Sequence, residues 1–476
     1  MLFTTLDFLL FLPAAVLVFW LLPARLRLAW LVLASLVFYG SFGLENLIYL
    51  AVVVLIVLVA GRVLKAKAPG ARRAALWGGT LLILALMGLL KYYDPVAAGI
   101  DGLPALGLTS PAGFSFYAFT AIALIVDRYR DPAAARADDA QEVLYLAWFP
   151  KILAGPIERI GPFVSELNDK TPLGWPQFAA GLQLILWGLV KKVVIADNLA
   201  PFVDRTYAIP AYAVPIELIL ASYFFAFQIY CDFSGYTDIA RGTSQLFGIR
   251  LSENFRRSYF AHSVGEFWSR RWHVSLADWF RDYVYFPLVG PERKAWRMYA
   301  GLMVVFALSG IWHAGLGYGI GWGFVAWGLL NGVYLWGERA LNPLRRRLRK
   351  RLGGSWLGRL HEIAAILTVF HLVLVSWVFF RAGDLGDAAT ILSRIWQSLP
   401  ELPTLLTRYP FTGEQAFLVC LIAALLVIEA AMERPTTADR FAAAPALLRW
   451  PVWLACLFAL ILLGRWDSEV FVYMQF

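Results

Sequence analysis

Twelve mostly apolar stretches recur along this chain, at 6–23, 28–42, 46–62, 74–91, 111–127, 178–197, 211–230, 299–313, 319–337, 361–380, 415–431 and 449–465. About 20 such residues, rising ~1.5 Å each as a helix, cover the ~30 Å of hydrocarbon in a bilayer. Lipid offers the backbone no hydrogen-bond partner, so each segment must satisfy its own N–H and C=O groups by coiling. The stretches predict an all-α polytopic membrane protein with 11–12 transmembrane helices. Two further apolar segments, 232–249 and 274–289, suit re-entrant or interfacial helices. Composition agrees: 60% of the residues are hydrophobic and only 16% charged, against about a quarter charged in a soluble domain. Residues 1–476 therefore read as one membrane domain, with N-terminal spans at 1–110, a core at 111–340 and C-terminal spans at 341–476.

The first span follows an N-terminus without basic residues, which predicts an uncleaved helix rather than a signal peptide. Cys231, Cys420 and Cys456 lie in or beside apolar stretches with no CxxC spacing, so neither a disulfide framework nor a zinc site is expected. Lys and Arg set the orientation. Basic links at 24–27, 62–73 and 128–136 alternate with links at 43–45 and 92–110 that lack Lys and Arg. Basic links face the cytoplasm, which puts the N-terminus outside and both 250–297 and "RRRLRKR" (345–351) inside. The net charge of +9 points first to such loops and second to an anionic ligand, and no nucleic-acid partner is expected.

An ionisable group at membrane depth costs several kcal/mol unless it faces protein or water, so each one is a candidate for function. His313 stands in "SGIWHAGLGYGIGWG" (309–323), among six glycines and two tryptophans. Apolar surroundings favour its neutral imidazole, which can accept a proton. Glycines at 310, 315, 317, 319, 321 and 323 allow close approach of helices or of a slim substrate. The plain alternative is a histidine that bonds a carbonyl and holds helices together.

In "SVGEFWSRRWHVSLADWFRDYVYFPLVG" (263–290), Trp268, Trp272, Leu276, Trp279 and Tyr283 fall at helical spacing as one apolar stripe. Arg270, Arg271, Ser275, Asp278 and Asp282 lie off it, as on an amphipathic or re-entrant helix at the cytoplasmic boundary. His273 sits beside the two arginines, where a basic rim can receive an anionic acyl donor or simply anchor phospholipid. His273 and Asp278 match the spacing of a glycerolipid acyltransferase dyad. On a continuous helix that step turns ~500°, pointing the two side chains apart unless the helix breaks.

Asp232, Ser234, Tyr236, Asp238 and Arg241 in "FQIYCDFSGYTDIARGTSQLFGIRLSENFRRSYF" (227–260) imply a supporting polar network, with Asp238 and Arg241 one turn apart. Pro150, Pro156 and Pro162 break the helix in "WFPKILAGPIERIGPFV" (148–164). Irregular backbone at membrane depth is tolerated where protein buries it or a cavity adjoins it.

Together these segments resemble the membrane-bound O-acyltransferase family, in its bacterial branch that contains alginate O-acetylase and the D-alanyl transferase of teichoic acids. The resemblance is carried by "FSFYAFTAIALIVDRYR" (114–130), "WFPKILAGPIERIGPF" (148–163), "YCDFSGYTDIARGTSQLFGIRLSENF" (230–255), "EFWSRRWHVSLADWFRDYVYFPL" (266–288), "SGIWHAG" (309–315) and the ending "FVYMQF". It covers most of the chain, with its strongest motifs within 114–332. Two departures are visible: "LVGPERK" replaces the family's Gly-Gly-Asn-Arg-like turn, and Ala314 replaces the glycine after the active-site histidine.

The resemblance implies helices around a central funnel or tunnel in a bacterial inner membrane. It places His313 as the family's essential histidine and His273 as its second. It implies transfer of a short acyl group, chiefly acetyl, from a cytoplasmic thioester such as acetyl-CoA or a loaded carrier protein. The acceptor is then an exported polysaccharide, namely alginate, another exopolysaccharide, acetylated cellulose or peptidoglycan. A separate periplasmic SGNH-type acetyltransferase is the implied partner, alongside membrane lipid, and no cofactor is held. His313 acts either as general base or as covalent acyl carrier, and Ser309, Trp312 or backbone amides serve as oxyanion donors. Arg270, Arg271 and Trp272 are candidates for donor binding or tunnel lining. A transporter or flippase would also use broken helices and intramembrane charge, but without acyl transfer.

Overall fold

The computed structural model describes residues 1–133, 136–169, 173–314, 321–434, 437, 440–441, 443–466 and 471. Among them every regular element is helical, and all twelve apolar stretches fall on helices. Eight helices are long and apolar enough to cross a membrane: Leu44–Leu64, Pro69–Ala97, Trp175–Ala208, Pro215–Leu246, Ala295–His313, Trp356–Arg381, Gly413–Met432 and Ala446–Leu463. The other four stretches lie on Leu6–Leu21, Ala24–Gly40, Phe114–Arg130 and Trp322–Leu352. The first three are only 16 or 17 residues long, and the fourth ends in the basic run at 345–351. Residues 232–246 form no separate re-entrant piece. They complete the 32-residue helix Pro215–Leu246.

The chain divides into two compact units that alternate along the sequence: Met1–Leu189 with Gly235–Glu253, and Val190–Ser234 with Asn254–Asp467. In the first, Trp175–Leu189 packs on the end of Pro215–Leu246 through glycine. A Cβ on Gly242 would lie 2.5 Å from the carbonyl oxygen of Gly181, and one on Gly188 2.7 Å from that of Gly235. No residue with a side chain fits at such a backbone contact.

The proline-broken segment also lies in this unit, as the short helices Phe149–Ile152 and Ile160–Asn168. Its backbone is satisfied by protein. Tyr236 donates from its hydroxyl to Pro150 O at 3.2 Å and accepts from Ala154 N–H at 3.2 Å. The Glu158 carboxylate accepts from Ser252 N–H and Ser252 Oγ, while Tyr145 donates to Glu158 O. Irregular backbone is thus buried and paired, as an apolar surround requires.

In the second unit, Ala295–His313 and Trp322–Leu352 meet along another glycine seam. A Cβ on Gly310 would stand 2.5 Å from Phe324 O, and one on Gly328 2.2 Å from Phe306 O. This contact fixes the helix whose last residue is His313. The glycines at 315, 317 and 319, and all of the ending "FVYMQF" except Phe471, lie outside the described residues.

Candidate active site

His313 closes its helix with only 2% of its surface exposed. Its ring stands 4.5 Å from that of Trp312, 5.3 Å from Trp327 at a right angle, and 5.1 Å from Phe380, measured between centroids. Ser309, one turn earlier on the same face, is buried too, as is Trp312. The sequence grouping of Ser309, Trp312 and His313 is therefore spatial as well.

His273 does not ride a continuous amphipathic helix. The stretch 263–290 is broken into Val264–Glu266, a π-helical turn Phe267–Arg271, Val274–Phe280, a second π turn Arg281–Tyr285 and Phe286–Val289. Trp272 is extended and His273 left-handed, with φ +46°. A non-glycine residue there stores of order 1–3 kcal/mol and persists only where its surroundings impose it. The apolar stripe still faces inward: Trp272, Leu276 and Trp279 are buried. π turns concentrate at functional sites, and two of them here flank one histidine.

Asn254 imposes the conformation. Its side-chain oxygen accepts from Ser275 N–H at 3.1 Å and Ser275 Oγ at 3.0 Å, and lies 3.1 Å from His273 Nδ1. A backbone N–H can only donate, so the amide atom turned toward Ser275 and His273 is the oxygen. His273 Nδ1 therefore carries the proton. His273 belongs to the broken stretch of chain between the spans Pro215–Leu246 and Ala295–His313; it is 3% exposed, and burial pushes its pKa down to about 3. It is neutral at ordinary pH, with Nε2 as its basic nitrogen. Nothing in the sequence marked Asn254, a loop residue 19 positions away.

The two arginines part company. Arg270 is exposed. Arg271 is held by Glu266 at 2.6 Å and Glu433 at 2.7 Å, with further bonds to the carbonyl oxygens of Arg256 and Arg257. Arg271 braces the turn that carries Trp272, and Arg270 is the one presented outward. Asp278 binds Arg281 and is 39% exposed, whereas His273 is buried, so Asp278 is engaged away from the imidazole. From Trp272, indoles run on to Trp377 at 4.9 Å and Trp327 at 6.0 Å, the last against His313.

The five polar residues of the long helix divide between two settings. Tyr236 supports the proline-broken segment, and Asp238 pairs with Arg241 at 3.3 Å as their spacing predicts. Asp232 and Ser234 instead meet two lysines that sequence reading passed over. Lys192 Nζ lies 2.7 Å from both Asp232 and Asp197, and Lys191 Nζ donates to Ser234 at 3.1 Å. Both lysines sit in a third π turn, Val190–Ala196, and all four charged side chains are buried. The available signal was two consecutive lysines inside the apolar stretch 178–197.

A sequence model of the membrane-bound O-acyltransferase family matches residues 133–371, which contain both histidines, Asn254 and the lysine cluster. A probable alginate O-acetylase AlgI of Azotobacter vinelandii is 34% identical over 80% of this chain and 74% of its own length. The chain belongs to the membrane-bound O-acyltransferase family. A peptidoglycan O-acetyltransferase of Helicobacter pylori is 31% identical over 80% of this chain and 77% of its own. A teichoic acid D-alanyltransferase of Bacillus subtilis is 27% identical over 58% and 70%, respectively. As a membrane-bound O-acyltransferase, the protein is a multi-pass membrane enzyme that transfers acyl groups to oxygen.

Proposed function

We propose that this enzyme moves an acetyl group from a cytoplasmic thioester, such as acetyl-CoA or a loaded carrier protein, to a hydroxyl on the far side of the bacterial inner membrane, with the N-terminus outside. The final product is an O-acetylated exported polysaccharide, either alginate, another exopolysaccharide or peptidoglycan. The observation that carries this reading is His313. It is a buried imidazole in an aromatic enclosure, within the family-matched segment of a chain similar to two proteins named for O-acetylation.

In this reading His313 takes the proton of the attacking hydroxyl, whose oxygen bonds to the thioester carbonyl carbon. The C–S bond breaks, an ester forms, and the departing thiolate recovers the proton from the imidazolium. General-base help of this kind is typically worth ~10²–10⁴ in rate. A ring only 2% exposed is screened from water that would otherwise hydrolyse the thioester. The same enclosure suits an acyl group and a slender alcohol better than a glycan chain, which favours relay through a periplasmic SGNH-type acetyltransferase.

The test is to replace His313 and His273 separately with Ala and measure ester-linked acetate on the surface polymer, normalised to folded protein in membranes. Loss of acetate in the His313 variant at normal abundance is expected. Wild-type acetate from that variant overturns the reading.

A further inference from the structure

We propose that the indole N–H groups of Trp327 and Trp377 form a subsite for a carbonyl oxygen beside His313, that of the acyl group in transit. The proposal rests on the acyl-thioester reading above and assigns two residues to it.

Four tryptophans cluster here: Trp268, Trp272, Trp327 and Trp377. Trp268 spends its N–H on Asn331 Oδ1 at 3.0 Å. Trp327 and Trp377 are 2% and 0% exposed, and neither Nε1 meets an acceptor among the described residues. An indole nitrogen only donates, and buried donors are nearly always satisfied, so two in one stacked pair call for a reason. Packing alone does not supply it, because phenylalanine fills such space without a polar atom. A ligand acceptor does.

The surroundings select the kind of acceptor. Phe380 lies 5.3 Å from each of the two indoles, and Phe306, Phe324 and Trp268 complete an uncharged aromatic wall. A phosphate or carboxylate would be stripped of water there with no cation in that wall to meet it. A neutral carbonyl loses little on entry. Its oxygen gains negative charge as the hydroxyl adds, and preorganised donors are then worth most. His313, 5.3 Å from the Trp327 ring, serves the hydroxyl while the indoles serve the carbonyl.

The experiment compares Trp327→Phe, Trp377→Phe and, as control, Trp296→Phe at an exposed indole outside this wall, in the full-length protein in nanodiscs. The probe is acetyl-CoA isotope-labelled at the thioester carbonyl. Each of the first two variants is expected to turn over saturating donor about 10²- to 10³-fold more slowly. Each should also raise the infrared stretch frequency of the bound carbonyl, because a hydrogen bond to it is gone. The control keeps the wild-type frequency. Trp327→His and Trp377→His, which retain a ring N–H, should recover part of the lost rate. Should a Phe variant fail to accumulate, the wild-type protein with labelled indoles is examined instead, and two indole N–H resonances should shift when donor is added. Wild-type rates with unshifted bands in both Phe variants overturn the subsite and leave acyl transfer standing, as does an absence of indole shifts. No turnover and no bound carbonyl band in the wild type overturns the acyl-thioester reading itself.

Discussion

The side-chain oxygen of Asn254 lies 3.1 Å from Nδ1 of His273, and its main-chain oxygen receives the N–H of Val274 at 3.0 Å. One residue thus sets both the backbone and the proton position of the histidine. Asn254→Ala removes the acceptor for Ser275 N–H and for the imidazole together. A buried donor left without its partner costs ~1–3 kcal/mol. Thermal unfolding in detergent is expected to fall by several degrees, with acyl transfer reduced beyond the loss of folded protein. An unchanged midpoint would remove Asn254 from this role.

The same ring predicts a pH dependence. Its folded pKa of about 3 lies below the ordinary 6.5, so the unfolded chain binds the additional proton. Its contribution to stability is complete above pH 6.5 and declines as pH falls from there toward 3. Glu266 and Glu433 are also held below the ordinary 4.5: burial alone would raise them, but bonds and charge from Arg271 and their other partners outweigh it. Their effect begins lower, while burial holds Glu158 above its ordinary 4.5, which opposes the His273 trend as pH falls. Between pH 4.5 and 6.5, unfolding midpoints should therefore fall more steeply with falling pH in wild type than in His273→Gln, and the difference between the two is the His273 contribution.

Lys192 sits between Asp232 and Asp197 with its side chain only 1% exposed. Lys192→Met strands two buried carboxylates, and breaking such a pair typically costs ~3–5 kcal/mol. Membrane abundance should collapse. The double variant Lys192→Met with Asp232→Asn should recover part of it, as read by quantitative blotting against wild type. Wild-type abundance of the single variant would show the cluster to be dispensable.

Gly310→Ala places a methyl group 2.5 Å from Phe324 O, where only backbone can yield. The helix ending at His313 must then shift against Trp322–Leu352, and misplacement of about 1 Å can cost ~10²-fold in rate. Acyl transfer should fall at least tenfold even where folded protein persists. Gly337→Ala, whose added Cβ meets nothing within 4 Å, is the matched control.

How legible all this was in sequence varied with the range of the interaction. The helices were legible because hydropathy is a running local property: every apolar stretch fell on one. The Asp238–Arg241 pair was legible because three residues make one turn. The stripe through Trp272, Leu276 and Trp279 was legible as a buried face, but not as a broken one. Its continuity fails at Trp272 and His273, where Asn254 and the carbonyl oxygens of Arg256 and Arg257 engage the turn from outside the local pattern. Arg270 and Arg271 look alike as neighbours in the chain. They differ because Glu433, 162 residues away, reaches only one of them.

What the sequence determined by itself is the solvent this chain folds in, the helices that solvent demands, and the few polar residues it makes costly, His313 and His273 among them. The tertiary structure alone decided what meets them: Asn254 for His273, Asp232 and Asp197 for Lys192, and an aromatic wall for His313. The reason is physical. A bilayer acts on each residue according to its own polarity, one at a time. A hydrogen bond or ion pair needs two groups within ~3 Å, and only packing brings distant positions that close.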